Sequence, residues 1–182
     1  MDLVQKAITL AITAHAGQYR DGAINGHRLP YILHPIEVVK TVRTWGAGDP
    51  VTLAAAVLHD TLEDTSLTLT DLVDTCGEQV ANIVRELTYD RDSGLTKPEY
   101  LQHFATASIP ALVIKLADRY CNVNDFLLTK PAYAKEYFEK ATVVISAGRS
   151  RASEIAQVLG EETAAAILTE YENLATVLET VA

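Results

Sequence analysis

The strongest constraint on this chain is its punctuation. Apolar residues recur at helical spacing in one segment after another, prolines fall at segment starts, and no alternating polar and apolar stretch of useful strand length occurs. Leu3, Ala7, Leu10 and Ala14 mark an amphipathic helix over residues 2–16. Ala-, Leu- and Glu-rich segments predict further helices at 36–45, 51–63, 70–88 with a break near Gly77, 97–107, 110–127, 132–148 and from 151 to the end, with Pro50, Pro98, Pro110 and Pro131 at or near four of the starts. The expected fold class is therefore all-α, a bundle of about ten helices. The one exception is a stretch rich in Gly and Pro around Asn25-Gly26, a tight-turn pair that supports one short β-hairpin near residues 23–32. With 182 residues, no repeats and no linker-like composition shift, a single domain over residues 1–182 is expected.

Composition narrows the function classes. A net charge of −9 argues against a nucleic-acid surface, which needs a basic stripe, but leaves room for a small phosphorylated ligand where local cations and a metal ion reverse the potential inside one cleft. No apolar run reaches the length of a bilayer span and the N-terminus lacks signal-peptide character, so no membrane partner and a cytoplasmic location are expected. Cys76 and Cys121 are too few for a disulfide framework or a cysteine zinc site and read as small buried residues. The Ala-rich C-terminal segment, with Ala165, Leu168, Leu174 and Leu178, reads as core or as a contact between copies; the oligomeric state is not legible.

Three separated segments carry residues suited to chemistry. In AAAVLHDTLEDT (54–65), His59 and Asp60 follow a strongly apolar run, and Glu63 and Asp64 come one turn later. At ~3.6 residues per turn, His59 lies above Glu63 and Asp60 above Asp64, two rows facing one centre. Ionisable groups at the end of an apolar helix need a partner, and a divalent cation is one; a solvated helix end is the other account. In PYILHPIE (30–37), Pro35 restricts His34, leaving it few conformations to lose on binding, although His34 also suits a helix cap. In ALVIKLADRYCNVND (111–125), Asp118, Asn122 and Asp125 fall at i, i+4 and i+7 on one polar face, directed at a cleft or at solvent.

Taken together and in order, AHAGQYR (14–20), PYILHP (30–35), AAAVLHDTLEDT, CGEQVANIVRELT (76–88), KLADRYCNV (115–123) and EYFEKA (136–141) resemble the hydrolase domain of the RelA/SpoT family, in particular its small, synthetase-free alarmone hydrolases. The resemblance implies an HD-type helical fold and metal-dependent hydrolysis of the 3′-pyrophosphate of (p)ppGpp-type alarmones. By position it makes His34, His59, Asp60 and Asp118 the metal ligands, for one Mn²⁺ ion. Glu63 and Asp64 become the pair that positions and deprotonates the attacking water, Arg20 the base-stacking arginine, and Asn122 and Tyr137 nucleotide contacts. A mixed imidazole and carboxylate set suits a first-row ion. Lys115 and Arg119 serve either as cations for the substrate or as intramolecular ion pairs. Departures surround the base pocket: Asp21 stands where many relatives have lysine, Arg28 is offered as the compensating cation, and Cys121 replaces a His or Tyr. Accordingly (p)ppApp hydrolysis, NADPH 2′-phosphatase activity and non-catalytic alarmone binding stand as alternatives.

Overall fold

In the computed structural model, residues 1–24 and 26–180 are described, Gly22, Ala23 and Ile24 by their backbone alone. Eleven α-helices and one antiparallel hairpin make up the regular structure of the described residues: α1 (Leu3–Ala14), β1 (Tyr19–Ile24), β2 (His27–Pro30), α2 (Leu33–Thr44), α3 (Pro50–Leu58), α4 (Thr61–Asp64), α5 (Leu69–Cys76), α6 (Glu78–Leu87), α7 (Lys97–Gln102), α8 (Ile109–Thr129), α9 (Pro131–Ser150), α10 (Ala152–Leu159) and α11 (Glu161–Thr180), with a 3₁₀ turn at His103–Ala105.

Two helices form the centre: α3 because its sequence is apolar almost all round, and α8 because its apolar run is buried together with the polar side chains that face the cavity. In α3, Thr52 and every residue from Ala54 to Leu58 are buried, and in α8 the run Ala111–Arg119 is buried throughout. Helices α1, α2 and α6 pack on α3, while α2, α6 and α9 pack on α8. Small residues allow close approach: a Cβ added at Gly148 of α9 would lie 2.8 Å from Cδ1 of the fully buried Leu116 of α8. Gly148→Ala is therefore expected to destabilise the fold by about 1–3 kcal/mol through overpacking, read as a lower denaturant midpoint at an unchanged slope.

Local signals account for most helix ends. Asp2, Asp49, Thr68, Thr96 and Ser108 cap their helices through side-chain oxygens, and Pro50, Pro98, Pro110 and Pro131 sit in first turns, where a missing N–H costs nothing. The break expected near Gly77 separates α5 from α6. Four helix expectations need correction. The last helix is two, divided at Gly160, whose φ of +105° only glycine adopts readily. The 97–107 helix ends at Gln102 and gives way to the 3₁₀ turn. The expected 51–63 helix breaks at His59-Asp60 into α3 and α4, with Asp60 at φ −100° and ψ −3°, the rim of the helical region. Helix α2 begins at Leu33, so His34 and Pro35 lie inside its first turn, where proline removes no helical hydrogen bond.

The hairpin starts earlier than expected, pairing Tyr19 with Pro30 and Ile24 with His27. Its base is closed by Tyr31 N–H donating to the Gln18 carbonyl at 2.9 Å. Of the expected Asn25-Gly26 turn, Asn25 lies outside the described residues, as do residues 181–182 of the expected C-terminal helix. By linking α1 to α2, the hairpin delivers Arg20 and Tyr31 to the same face of the bundle as the ends of α3 and α8. No helix among the described residues is long and apolar enough to cross a membrane.

Candidate active site

The first turn of α2, the α3–α4 junction and the middle of α8 meet at one point. His34 Nε2 lies 3.2 Å from Asp118 Oδ1, and His59 Nε2 lies 3.0 Å from Asp60 Oδ2. The cross distances, His34 to Asp60 and His59 to Asp118, are 3.8 and 3.9 Å. One ligand atom each from His34, His59 and Asp118 falls within 4.8 Å of the others, and Asp60 stands at the edge of this cluster against both imidazoles. All four predicted ligands are thus brought together, although the chain separates the first from the last by more than eighty positions.

The donor set fits a divalent cation. His59 is only 1% exposed, and its Nδ1–H donates to the Ala56 carbonyl at 2.8 Å, which fixes the tautomer and turns the Nε2 lone pair into the cluster. That Nε2 is buried without a hydrogen-bond partner; Asp60 is close to it but poorly aligned. Electrostatics also call for positive charge there. Burial depresses the basicity of both imidazoles, and at His34 it prevails, keeping the ring neutral. At His59, burial is outweighed by the Asp60 and Asp118 carboxylates, which raise its pKa. Burial pushes Asp118 upward too, but Lys115, His34 and Arg119 together hold it well below the carboxylate range. A cation held among these atoms substitutes for the proton that the carboxylates otherwise draw onto His59.

The acid pair adjoins the cluster with two different settings. Asp64 follows Asp60 by one turn, its N–H donating to the Asp60 carbonyl at 2.9 Å. The Tyr31 hydroxyl joins the two side chains, donating to Asp60 Oδ2 at 2.5 Å and lying 3.3 Å from Asp64 Oδ2. Partial burial and the neighbouring Asp60 and Glu63 charges raise the Asp64 pKa. Glu63 instead accepts the Tyr89 N–H at 3.2 Å and faces Lys97 at 3.5 Å. The expected stacking of His59 over Glu63 in one helix is therefore replaced by a bend that turns the acid pair toward the cavity.

A cavity of about 610 Å³ opens over this arrangement, lined by the acids Asp60, Glu63, Asp64 and Asp118 and by the cations Arg20, Lys97, Lys115, Arg119 and Lys140, several of them paired with those acids. Its volume suits a nucleotide-sized ligand. Arg20, Asn122 and Tyr137 all line it. Asn122 is already engaged at both ends of its amide, accepting from Arg20 Nη2 at 2.8 Å and donating to Asp118 Oδ1 at 2.5 Å, so it links a cavity arginine to the cluster. The Tyr137 hydroxyl accepts from Arg119 Nη1 at 2.6 Å. Lys115 and Arg119 are 5% and 6% exposed and sit 2.9 and 4.0 Å from Asp118 Oδ2, so both pair with Asp118 while still lining the cavity, and the two accounts of these cations are compatible.

Arg28 lies 5.4 Å from the Tyr19 ring and lines a smaller recess beside the main cavity. Cys121 is buried against Thr41 Oγ1 at 3.3 Å, its thiol pushed up to about 12 by burial, and is absent from the cavity wall. Tyr31 and Gln18 escaped the sequence reading. Gln18 donates to the Asp64 carbonyl at 2.7 Å, and Tyr31 holds the Asp64 carboxylate from the other side. Their only sequence signal was their place within AHAGQYR and PYILHP.

Comparison with known proteins agrees with this geometry. The HD-domain family profile matches residues 7–145. A guanosine-3′,5′-bis(diphosphate) 3′-pyrophosphohydrolase MESH1 from Xenopus tropicalis is 33% identical over 151 residues, 79% of this chain and 83% of the relative. The Homo sapiens protein of the same name is 40% identical over 125 residues, 64% of this chain and 69% of the relative. A solved metazoan ortholog of SpoT, described as hydrolysing ppGpp, superposes with a TM-score of 0.76 at 24% identity, covering 95% of this chain and 96% of its own, and so shares the fold.

Proposed function

Because this chain belongs to the HD-domain family, within the RelA/SpoT-type pyrophosphohydrolases, we propose that it hydrolyses the 3′-pyrophosphate of (p)ppGpp, giving GDP or GTP and pyrophosphate. The observation that carries the reading is the meeting of a buried imidazole–carboxylate cluster, an acid pair and several cations in one cavity of nucleotide size.

His34, His59, Asp60 and Asp118 would hold one divalent ion, for which we propose Mn²⁺, given hard carboxylate and borderline imidazole donors and no thiolate. When bound, the ion would supply Lewis acidity and positive charge for phosphoryl transfer to water. Water attacks the phosphorus attached to ribose O3′, Asp64 or Glu63 accepts the proton that the water loses, and as the O3′–P bond breaks O3′ takes up a proton to leave as the 3′-hydroxyl of GDP or GTP. Tyr31 and Gln18 keep Asp64 in place, which matters because an acid–base group acts only within hydrogen-bond reach. Arg20 meets the base, Asn122 anchors Arg20, and Tyr137 with Arg119 meets the ribose or the phosphates.

The test is product analysis with ppGpp, ppApp and NADPH supplied side by side in Mn²⁺. Pyrophosphate and GDP are expected from ppGpp; loss of activity in chelator and its return on adding Mn²⁺ should follow. Tight nucleotide binding with no product under any divalent ion would replace the enzyme with a binding protein, and release of phosphate from NADPH alone would move the substrate.

A further inference from the structure

Both hydrogens of Arg20 Nη2 are committed, one to Asn122 Oδ1 at 2.8 Å and one to Asp125 Oδ2 at 2.9 Å. Asp125 lies outside the wall of the main cavity and lines an adjoining recess of about 240 Å³ together with Arg20, Tyr31 and Asn122. The Arg20 and Asp125 side chains are 15% and 19% exposed, so the pair is largely shielded from water.

Two physical consequences follow from this contact. Guanidinium hydrogen bonds run along the edge of the group, so edge anchoring fixes its plane; one face lies over the Tyr31 ring, 6.0 Å from its centroid, and the other is left for the flat base. A dedicated carboxylate also cancels the Arg20 charge, lessening its pull on phosphate. Lys115 and Arg119, which also line the main cavity, are arranged differently: the two share the single Asp118 carboxylate, so this group of three side chains keeps one net positive charge.

We infer that Asp125 is a positioning residue for the nucleotide, one that holds Arg20 edge-on and neutralises it, so that Arg20 receives the flat base while the phosphates are drawn to the Lys115–Arg119 wall. The inference rests on the nucleotide reading above and adds to it a device that sorts the two ends of the substrate.

The test is a double-mutant cycle on Arg20→Ala and Asp125→Ala in the full chain, read as KM and kcat for ppGpp and as inhibition by inorganic pyrophosphate, which has no base. Asp125→Ala is expected to raise KM about tenfold while kcat changes less than about threefold, the pattern of lost uniform binding. Pyrophosphate should inhibit that variant more strongly, because the Arg20 charge is released, and Asp125→Glu should recover part of the lost affinity. In the Arg20→Ala background, adding Asp125→Ala should change neither value, since coupled residues are not additive. Additive losses, or a matched fall in kcat with unaltered KM, would overturn the assignment. Absence of ppGpp turnover in the wild-type protein would count against the proposed activity instead, and the same cycle, read as GDP affinity by calorimetry, would still decide the role of Asp125.

Discussion

His59→Ala is expected to remove divalent-metal binding and turnover together, with activity falling by roughly 10³-fold or more, because an HD-type reaction without its ion keeps only binding and orientation. The expectation follows from the orientation of one ring. Nδ1–H is tied to the Ala56 carbonyl, so the only lone pair His59 has to offer is the buried, unpartnered Nε2 facing Asp60 and Asp118. Alanine leaves a void as well as a missing donor, so His59→Gln, closer in volume, separates the two effects. Both variants should stay helical by circular dichroism and lose ion binding in chelator competition. A stoichiometric ion with wild-type turnover in either would remove His59 from the ligand set.

The second large effect belongs to the acid pair. Asp64→Asn and Glu63→Gln should each retain the ion, and the variant that lacks the base should lose about 10²- to 10⁴-fold in rate. The pH dependence identifies which one it is. Burial and the adjacent Asp60 and Glu63 charges raise the Asp64 pKa, so Asp64 takes up its proton at a higher pH than an ordinary carboxylate. A base must be unprotonated, so activity should fall as pH drops through that raised value, placing the acidic limb of the kcat/KM profile above the usual carboxylate range. In Asp64→Asn this limb should disappear along with most of the rate; its persistence would assign the proton transfer to Glu63. Wild-type rates in both variants would remove the pair from the chemistry.

The two results depend on information of different ranges. Helix existence was local: apolar periodicity, capping side chains and four first-turn prolines marked most of the bundle, and Gly77 marked one break correctly. The division at Gly160 had the same kind of signal, a glycine followed by Glu161 and Glu162 in a new first turn, but the Ala-rich periodicity on both sides masked it. The entry of α2 was misplaced because Pro35 reads as a start, whereas a helix accepts proline anywhere in its first turn.

Site residues divide in the same way. His34, His59, Asp60 and Asp118 were singled out through short motifs in a fixed order, and the structure brings all four side chains together. What Asn122 and Tyr31 touch was not legible. Each partner comes from another element: Asn122 binds Arg20 of the hairpin, and Tyr31 reaches Asp60 and Asp64 beside α4.

By itself the sequence determined the all-α class, the existence of most helices and the residue types able to hold a cation, since these depend on neighbours within about one or two turns. Only the tertiary structure decided the bend at Asp60, the Nε2 lone pair of His59 aimed at two carboxylates, and the pairing of Arg20 with Asp125. Those outcomes depend on how buried helices pack against one another, and packing among segments far apart in the chain leaves no periodic trace along it.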